Sequence, residues 1–289
     1  MQEFNMVFLV STSHFEDRIW FRDDDDFKAA MNIMAILTAV FKVRILAFVL
    51  MSNHVHIVMM GDEQVCVSFM DRFKQLYSTN FKNRYSVGGL LHQNKVDYKL
   101  LTGEECLEKA ISYVIMNPVA ARICIDASGY KWGSGACYFN GNPEKGKPLG
   151  ELSIRQARKL LRSHSIPNGD YLVSDDGYIL PRSYIPVEHV ERIYRTPSRL
   201  SYFNRTSSKA KMALETEVLM PSFRDQLLTT AIPDICISLF KKNNTSELSP
   251  IQTERLVHEL RNRFNADFRQ IARVLGQEPS LVAQMLDSV

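Results

Sequence analysis

The sequence has little that would tie it to a membrane or to an oxidising compartment. No window approaches the roughly 18 apolar residues that a membrane span needs, and we find no basic-then-apolar leader at its start. Its five cysteines are odd in number and form no Cys-x-x-Cys pair, which argues against a disulfide framework and a cysteine zinc site. We therefore expect a cytoplasmic protein that does not associate with a membrane.

The chain also lacks a strong charge of either sign. Its 35 Lys and Arg residues exceed its 32 Asp and Glu residues by a net charge of +3, and the isoelectric point is near 8.5. This balance is compatible with a polyanionic partner but does not require one. A hydrophobic content of 45% over 289 residues indicates a folded chain of one large domain or two to three smaller ones.

The first 140 residues alternate between strand-like and helix-like apolar patterns. Strands are predicted at 6–10, 44–51, 54–60 and 96–101, and helices at 27–41, 63–84 and 104–117. The acidic run 23–26 suits the N-terminus of the first helix better than a metal cluster. The order predicts an α+β fold: a ferredoxin-like antiparallel sheet with helices packed on one face, followed by a mainly helical C-terminal extension.

Composition suggests where the chain divides. Residues 1–140 are predicted to form a catalytic domain and 141–150, rich in turn formers, a linker. Residues 151–245 form a basic middle region, with eleven Lys and Arg against five Asp and Glu between 153 and 212, which is compatible with DNA binding or with an ordinary solvated surface. Residues 246–289 end in helix-turn-helix spacing, with Gln277, Ser280 and Gln284 as candidate DNA contacts.

A His-x-His pair lies on the third predicted strand. Because side chains two apart on a strand share a face, His54 and His56 project together and could bind one metal ion. A histidine-triad hydrolase would have a third His at Val58, and a zinc hydrolase would usually add a nearby Asp. The sequence has neither feature. The remaining alternative is that the His-x-His pair has no functional role.

A candidate nucleophile follows on the helix 104–117. Tyr113 and Asn117 lie four residues apart and so share a helical face, which could present a phenol and a third metal ligand. A phenolic oxygen that attacks phosphate forms a covalent intermediate and conserves the bond for rejoining. A core role for Tyr113 stays open, as do three competing tyrosines: Tyr77, Tyr85 and Tyr98.

The ordered motifs resemble the single-tyrosine HUH transposases, and among them the REP-associated tyrosine transposases. They comprise the His54-Val-His56 pair, a basic amphipathic helix, the segment 112–122 with Tyr113, and the aromatic segment 130–134. The resemblance covers roughly residues 4–140. It implies a ferredoxin-like domain in which His54, His56 and Asn117 hold a divalent ion, Mg²⁺ or Mn²⁺, and Tyr113 forms a 5′-phosphotyrosine that leaves a 3′-hydroxyl for strand transfer.

The implied partner is single-stranded or hairpin DNA. Candidate DNA contacts are the basic residues of the helix 63–84, namely Arg72, Lys74, Lys82 and Arg84, and those of the middle region, Arg192, Arg195 and Arg199. A homodimer is compatible with the resemblance. Two alternatives remain open: a domesticated DNA-binding protein that regulates repeats or transcription without cleavage, and a metal-dependent phosphodiesterase that uses water.

Overall fold

The protein was studied as a computed structural model, which describes residues 6–12, 19–41, 43–86, 96–121, 123–215, 225–264, 266 and 268–287. In this described part, no helix combines the length and the apolar character needed to cross a membrane. The structure combines a small antiparallel sheet with many helices and a largely helical C-terminal part, which confirms the predicted fold class.

Four strands form the central sheet. They are β1 (Val7–Ser11), β2 (Arg44–Met51), β3 (His54–Met60) and β4 (Asp97–Leu100), all antiparallel and in the order β2-β3-β1-β4. This order places β3, which carries the two histidines, inside the sheet with a neighbour on each side. A separate two-stranded ladder pairs β5 (Lys147–Pro148) with β6 (Leu172–Val173).

Helices make up most of the remaining described structure. Three connect or follow the strands: α1 (Asp24–Val40), α2 (Glu63–Tyr85) and α3 (Glu104–Ala120). Seven follow in the extension: α4 (Ile154–Leu161), α5 (Val187–Tyr194), α6 (Pro197–Glu215), α7 (Asp225–Ile235), α8 (Pro250–Phe264), α9 (Phe268–Leu275) and α10 (Pro279–Asp287). Short 3₁₀ turns lie at Ala127–Gly129, Gly135–Cys137, Leu149–Glu151, Pro181–Ser183 and Thr245–Glu247, and a π-helical turn, Cys236–Phe240, continues α7.

The acidic run at the start of α1 is a capping structure, as predicted. The Asp23 side chain accepts a hydrogen bond from the backbone N–H of Asp26, which satisfies a donor that the first helical turn leaves open. Asp26 is fully buried and binds Arg84 and the hydroxyl of Tyr85. Burial raises the pKa of the Asp26 carboxyl despite these partners. Because Asp26 lies on α1 and Arg84 and Tyr85 lie at the end of α2, the cluster joins the two helices.

The aromatic segment 130–138 closes the outer edge of β2. Trp132 accepts the N–H of Leu50 at 2.9 Å, and Phe48 accepts the N–H of Ser134 at 3.0 Å. Gly133 lies against this edge so closely that a Cβ would stand 3.1 Å from the carbonyl oxygen of Phe48. A row of unpaired backbone groups is thereby covered, and the hairpin of β2 and β3 is held from outside.

The main hydrophobic core does not end at the predicted linker. One cluster of buried residues extends from Phe8 to Phe203 and includes Leu149, Val173 and Ile179 beyond the sheet domain. Asn32 of α1 accepts the N–H of Ile179 at 2.8 Å. The linker and domain boundary at 141–150 stay a prediction, and buried residues between 149 and 203 pack in the same core as the sheet.

The C-terminal helices have a core of their own. Leu228, Leu256, Ile271 and Val282 are buried in a second cluster that also contains Ile19, and Arg22 pairs with Asp234 of α7 at 2.9 Å. Helices α9 and α10 flank a turn at Gly276, whose φ of +63° suits glycine. Helix α10 begins at Pro279, so the candidate DNA contact Ser280 lies inside its first turn.

Candidate functional site

The two histidines follow a tight hairpin turn. Met51 of β2 faces His54 of β3 across Ser52 and Asn53, which form a two-residue turn. The carbonyl oxygen of Ser52 accepts hydrogen bonds from the N–H groups of Trp20 and Phe21, at 2.8 and 3.0 Å. These two hydrogen bonds anchor the turn, which gives the first residue of β3 a defined position.

His54 and His56 share one face of the sheet and lie side by side. Their ring centroids are 4.9 Å apart, with an angle of 72° between the ring planes. Val55 between them points to the opposite face and is fully buried. His54 is 7% exposed and His56 is 2% exposed, so the pair lies beneath the surface, but with polar neighbours rather than in an apolar interior.

Asn53 contacts the first of the two imidazoles. Its side-chain oxygen lies 2.8 Å from Nδ1 of His54. An amide oxygen accepts hydrogen bonds, so this arrangement suits a proton on Nδ1. In the neutral imidazole, Nε2 of His54 then has the lone pair that a metal ligand requires. Asn53 directly precedes His54 in the sequence, but no pattern of spacing predicts this contact.

Tyr113 meets the histidines from above the sheet. Its hydroxyl oxygen lies 3.4 Å from Nε2 of His56, and the two ring centroids are 5.2 Å apart. Helix α3 packs across β2 and β3, which brings its residue 113 over the face that carries the pair. The structure thus brings the phenol of Tyr113 next to two imidazoles that precede it by at least 57 residues in the sequence.

The three competing tyrosines lie elsewhere. Tyr77 donates its hydroxyl to the backbone oxygen of Trp20, and burial raises its pKa well above the usual range. Tyr85 binds Asp26. Tyr98 pairs with Val10, which pairs with Ile57, so it points to the face opposite His56. Of the four candidates, Tyr113 is the one that contacts the histidine pair.

Asn117 remains helical, which corrects the predicted end of α3. Helix α3 was expected to stop at the Asn117-Pro118 step, yet it continues to Ala120 with Pro118 inside it. Pro118 lacks a backbone N–H, so the helix loses one hydrogen bond there. Backbone hydrogen bonds after Pro118 offset this loss: the N–H of Ala121 donates to the carbonyl oxygen of Asn117 and that of Ile123 to the carbonyl oxygen of Pro118, each at 2.9 Å. The Asn117 amide nitrogen donates to the carbonyl oxygen of Tyr113 at 3.0 Å, on the same helical face as that tyrosine.

The donor chemistry of the pair fits a first-row transition ion better than Mg²⁺. Two neutral imidazoles are borderline donors, whereas Mg²⁺ prefers oxygen. No group of three His, Cys, Asp or Glu side chains able to hold a metal occurs among the described residues. A metal at His54 and His56 would therefore need other ligands, and Asn117 remains the predicted third one.

Three predicted DNA contacts are paired with carboxylates. Lys74 is buried and pairs with Asp71 at 3.1 Å, Arg84 binds Asp23 and Asp26, and Arg199 binds Glu108 while its own side chain stays exposed. For Arg84, burial opposes protonation, but the hydrogen bond to Asp23 and the charge of Asp26 outweigh it and raise the pKa. The role of these three residues in DNA binding stays a prediction.

The other predicted contacts lie on the surface. Arg72 and Lys82 of α2, Arg192 and Arg195 near the end of α5, and Gln277, Ser280 and Gln284 at the C-terminus are all exposed. Arg195 also approaches Glu104 at 3.7 Å, a pair too exposed to contribute much stability. These residues are accessible to a polyanion, and their role in DNA binding stays a prediction. Arg122, part of the segment 112–122, lies outside the described residues.

Comparison with known proteins gives one family match. Residues 10–112 match the family described as "Transposase IS200 like", about a third of the chain, and this confirms the resemblance read from the sequence. The matched segment contains both histidines and ends one residue before Tyr113. No curated protein matches the chain. A solved structure of a REP-associated tyrosine transposase bound to a REP hairpin is similar over 45% of this chain and 74% of that one, with 10% identity and a TM-score of 0.35.

Proposed function

We propose, from the match of residues 10–112 to the IS200-like transposase family, that this protein cleaves and rejoins single-stranded DNA through a 5′-phosphotyrosine at Tyr113. The observation that carries the proposal is the 3.4 Å approach of the Tyr113 hydroxyl to Nε2 of His56. A nucleophile and two metal-ligating side chains around one point can act together on one phosphate. The sequence motifs favour the REP-associated branch and a hairpin or repeat element as the substrate.

The proposed reaction exchanges one phosphodiester for another. The Tyr113 oxygen loses its proton and attacks the scissile phosphorus, a phosphorus–oxygen bond to tyrosine forms, and the bond to the 3′ oxygen breaks. The departing oxygen takes up a proton and becomes a 3′-hydroxyl. Attack of this or another 3′-hydroxyl on the phosphotyrosine reverses these changes and rejoins the strand, so that no external energy source is required.

We further propose that His54 and His56, with Asn117, hold a divalent ion. When bound, such an ion polarises the scissile phosphate and offsets its developing negative charge. Asn53 fixes the tautomer and the orientation of His54, and the packing of α3 sets the position of Tyr113 and Asn117. Mn²⁺ is the ion that we expect to bind more tightly, because imidazole suits transition ions better than Mg²⁺.

The role of Asn53 gives a prediction about metal affinity. An Asn53→Ala protein should bind Mn²⁺ about 10- to 100-fold more weakly than the wild type, since outer hydrogen-bond partners of metal-binding histidines have effects of that size. Isothermal titration calorimetry without DNA measures this. Asn53→Asp keeps an acceptor and should retain most of the affinity, and Asn83→Ala, which removes an exposed amide from α2, is the control. Equal affinity of Asn53→Ala and the wild type would contradict the proposed orientation of His54.

The test of the proposed function is a covalent complex. Purified protein is incubated with 5′- and 3′-labelled hairpin oligonucleotides and Mn²⁺, and the products are separated on a denaturing gel. A protein-linked product that carries the 5′ phosphate side, together with a released 3′-hydroxyl fragment, supports transesterification. Two released fragments without an adduct would indicate a phosphodiesterase that uses water, and tight binding with intact DNA would indicate the domesticated DNA-binding alternative.

A DNA-positioning role for the C-terminal helices is a second part of the proposal. Gln277, Ser280 and Gln284 are exposed around the start of α10, where a recognition helix presents its base contacts. Replacing all three by alanine should weaken binding to the target hairpin about tenfold or more, since a lost base contact costs roughly 1–3 kcal/mol. Fluorescence anisotropy measures the affinity, and Gln64→Ala on α2 is the control. An unchanged affinity would assign these helices another role.

A further inference from the structure

The C-terminal extension contacts α3, the helix that carries Tyr113, on the side away from the sheet. Helix α6 packs along α3, and two side chains, Tyr194 of α5 and Arg199 of α6, bind two positions of α3. Arg199 forms a two-pronged ion pair with Glu108, with 2.8 Å between Nη2 and Oε2. Tyr194 donates its hydroxyl to the carbonyl oxygen of Glu108 at 2.6 Å and lies 3.0 Å from the hydroxyl of Ser112.

These contacts are buried where they meet α3. Glu108 is 1% exposed, and Ser112 and Tyr194 are fully buried. Phe203 completes the contact, with its ring 6.1 Å from that of Tyr194 and 5.4 Å from the Arg199 guanidinium. A buried carboxylate that lost its cation would be strongly unfavourable, so the pair ties the position of α3 to that of α6.

The face of α3 that binds α5 and α6 and the face that carries Tyr113 are on roughly opposite sides of the helix. With roughly 100° of rotation per residue, Glu108 and Ser112 point one way and Tyr113 and Asn117 the other. The sheet with His54 and His56 therefore lies on one side of the helix, and α5 and α6 lie on the other. A helix fixed on its outer side cannot rotate about its axis without breaking the Arg199–Glu108 pair.

We propose that Tyr194 and Arg199 are positioning residues which clamp α3 so that the Tyr113 hydroxyl stays directed at the histidine pair. This inference rests on the proposed DNA-joining function and adds that the extension sets the geometry of the nucleophile. It gives Arg199 a role other than the DNA contact predicted from the sequence. A displacement of about 1 Å at a reacting atom can reduce a rate about 100-fold, which makes a clamp on this helix consequential.

Arg199→Ala is the principal test, and Arg205→Ala is its matched control. Both changes remove one arginine of α6, but Arg205 is exposed and is not part of the Arg199–Glu108 pair. Arg199→Ala should slow adduct formation at saturating DNA about 10- to 100-fold with DNA affinity changed less than twofold, whereas Arg205→Ala should leave the rate at saturating DNA unchanged. Arg199→Lys, which keeps the charge but not the two-pronged geometry, should restore part of the rate.

Two further measurements separate a clamp from other roles. Tyr194→Phe removes only a hydroxyl and should also lower the rate at saturating DNA, in a protein that remains folded by circular dichroism. If Arg199→Ala instead weakens DNA binding and lowers its salt dependence at an unchanged maximal rate, Arg199 is a phosphate contact and the clamp is wrong.

The clamp can also be measured without catalysis. Hydrogen–deuterium exchange should be faster at residues 108–117 in Arg199→Ala than in the wild type and in Arg205→Ala. If the wild type forms no adduct but this exchange difference is present, the proposed function fails and the clamp stands. If exchange in α3 is the same in all three proteins, the clamp is refuted whatever the wild type does to DNA.

Discussion

A Tyr113→Phe protein is expected to form no covalent adduct with an oligonucleotide that the wild type attacks. The change removes one oxygen, the atom proposed to bond to phosphorus, and leaves the ring that packs 5.2 Å from His56. The fold and the DNA affinity should therefore be preserved. Loss of a nucleophile typically lowers the rate by at least about 10³-fold, which in a gel assay is a complete loss of the protein-linked band.

The controls for this change are two other tyrosines. Tyr98→Phe alters a residue on the opposite face of the sheet, and Tyr202→Phe alters an exposed tyrosine of α6 that is 62% accessible. Both variants should form the adduct at the wild-type rate. If Tyr113→Phe still becomes linked to DNA, another residue is the nucleophile, and peptide mapping of the linked protein would identify it.

The second large effect is expected from the histidine pair. Replacing His54 and His56 together by alanine should abolish detectable Mn²⁺ binding in calorimetry and slow adduct formation by about 10²- to 10⁴-fold. An ion that stabilises charge at phosphorus contributes several kcal/mol, and about 1.4 kcal/mol corresponds to each tenfold change in rate. Chelation by EDTA should give the same loss in the wild type, reversed by added Mn²⁺.

His164→Ala is the matched control for the pair, because His164 is exposed on the extension. Its metal binding and its rate should equal those of the wild type. Hairpin affinity separates the remaining outcomes. A double variant that binds DNA normally but does not react supports a catalytic pair. A double variant that reacts as fast as the wild type would remove the histidines from the reaction.

Much of the site could be predicted because its elements are local. A period of two places His54 and His56 on one face of a strand, and a spacing of four places Tyr113 and Asn117 on one face of a helix. The turn at Ser52-Asn53 and the Asp23 cap are likewise short-range features. The structure brings the two faces together, as the resemblance implied, and it separates Tyr113 from Tyr77, Tyr85 and Tyr98, which the sequence could not do.

The strand and helix patterns, the shared face of the two histidines and the shared face of Tyr113 and Asn117 follow from the sequence alone, because they depend on spacings of two to four residues. The carboxylate partners of the basic side chains follow only from the tertiary structure. Arg84 and Arg199 meet carboxylates 58 and 91 residues away, and the core continues past the turn-rich segment at 141–150. The sequence shows that a side chain is basic or that a segment is polar. The carboxylate that pairs with the side chain, and the core against which the segment packs, depend on how elements distant in the sequence come together.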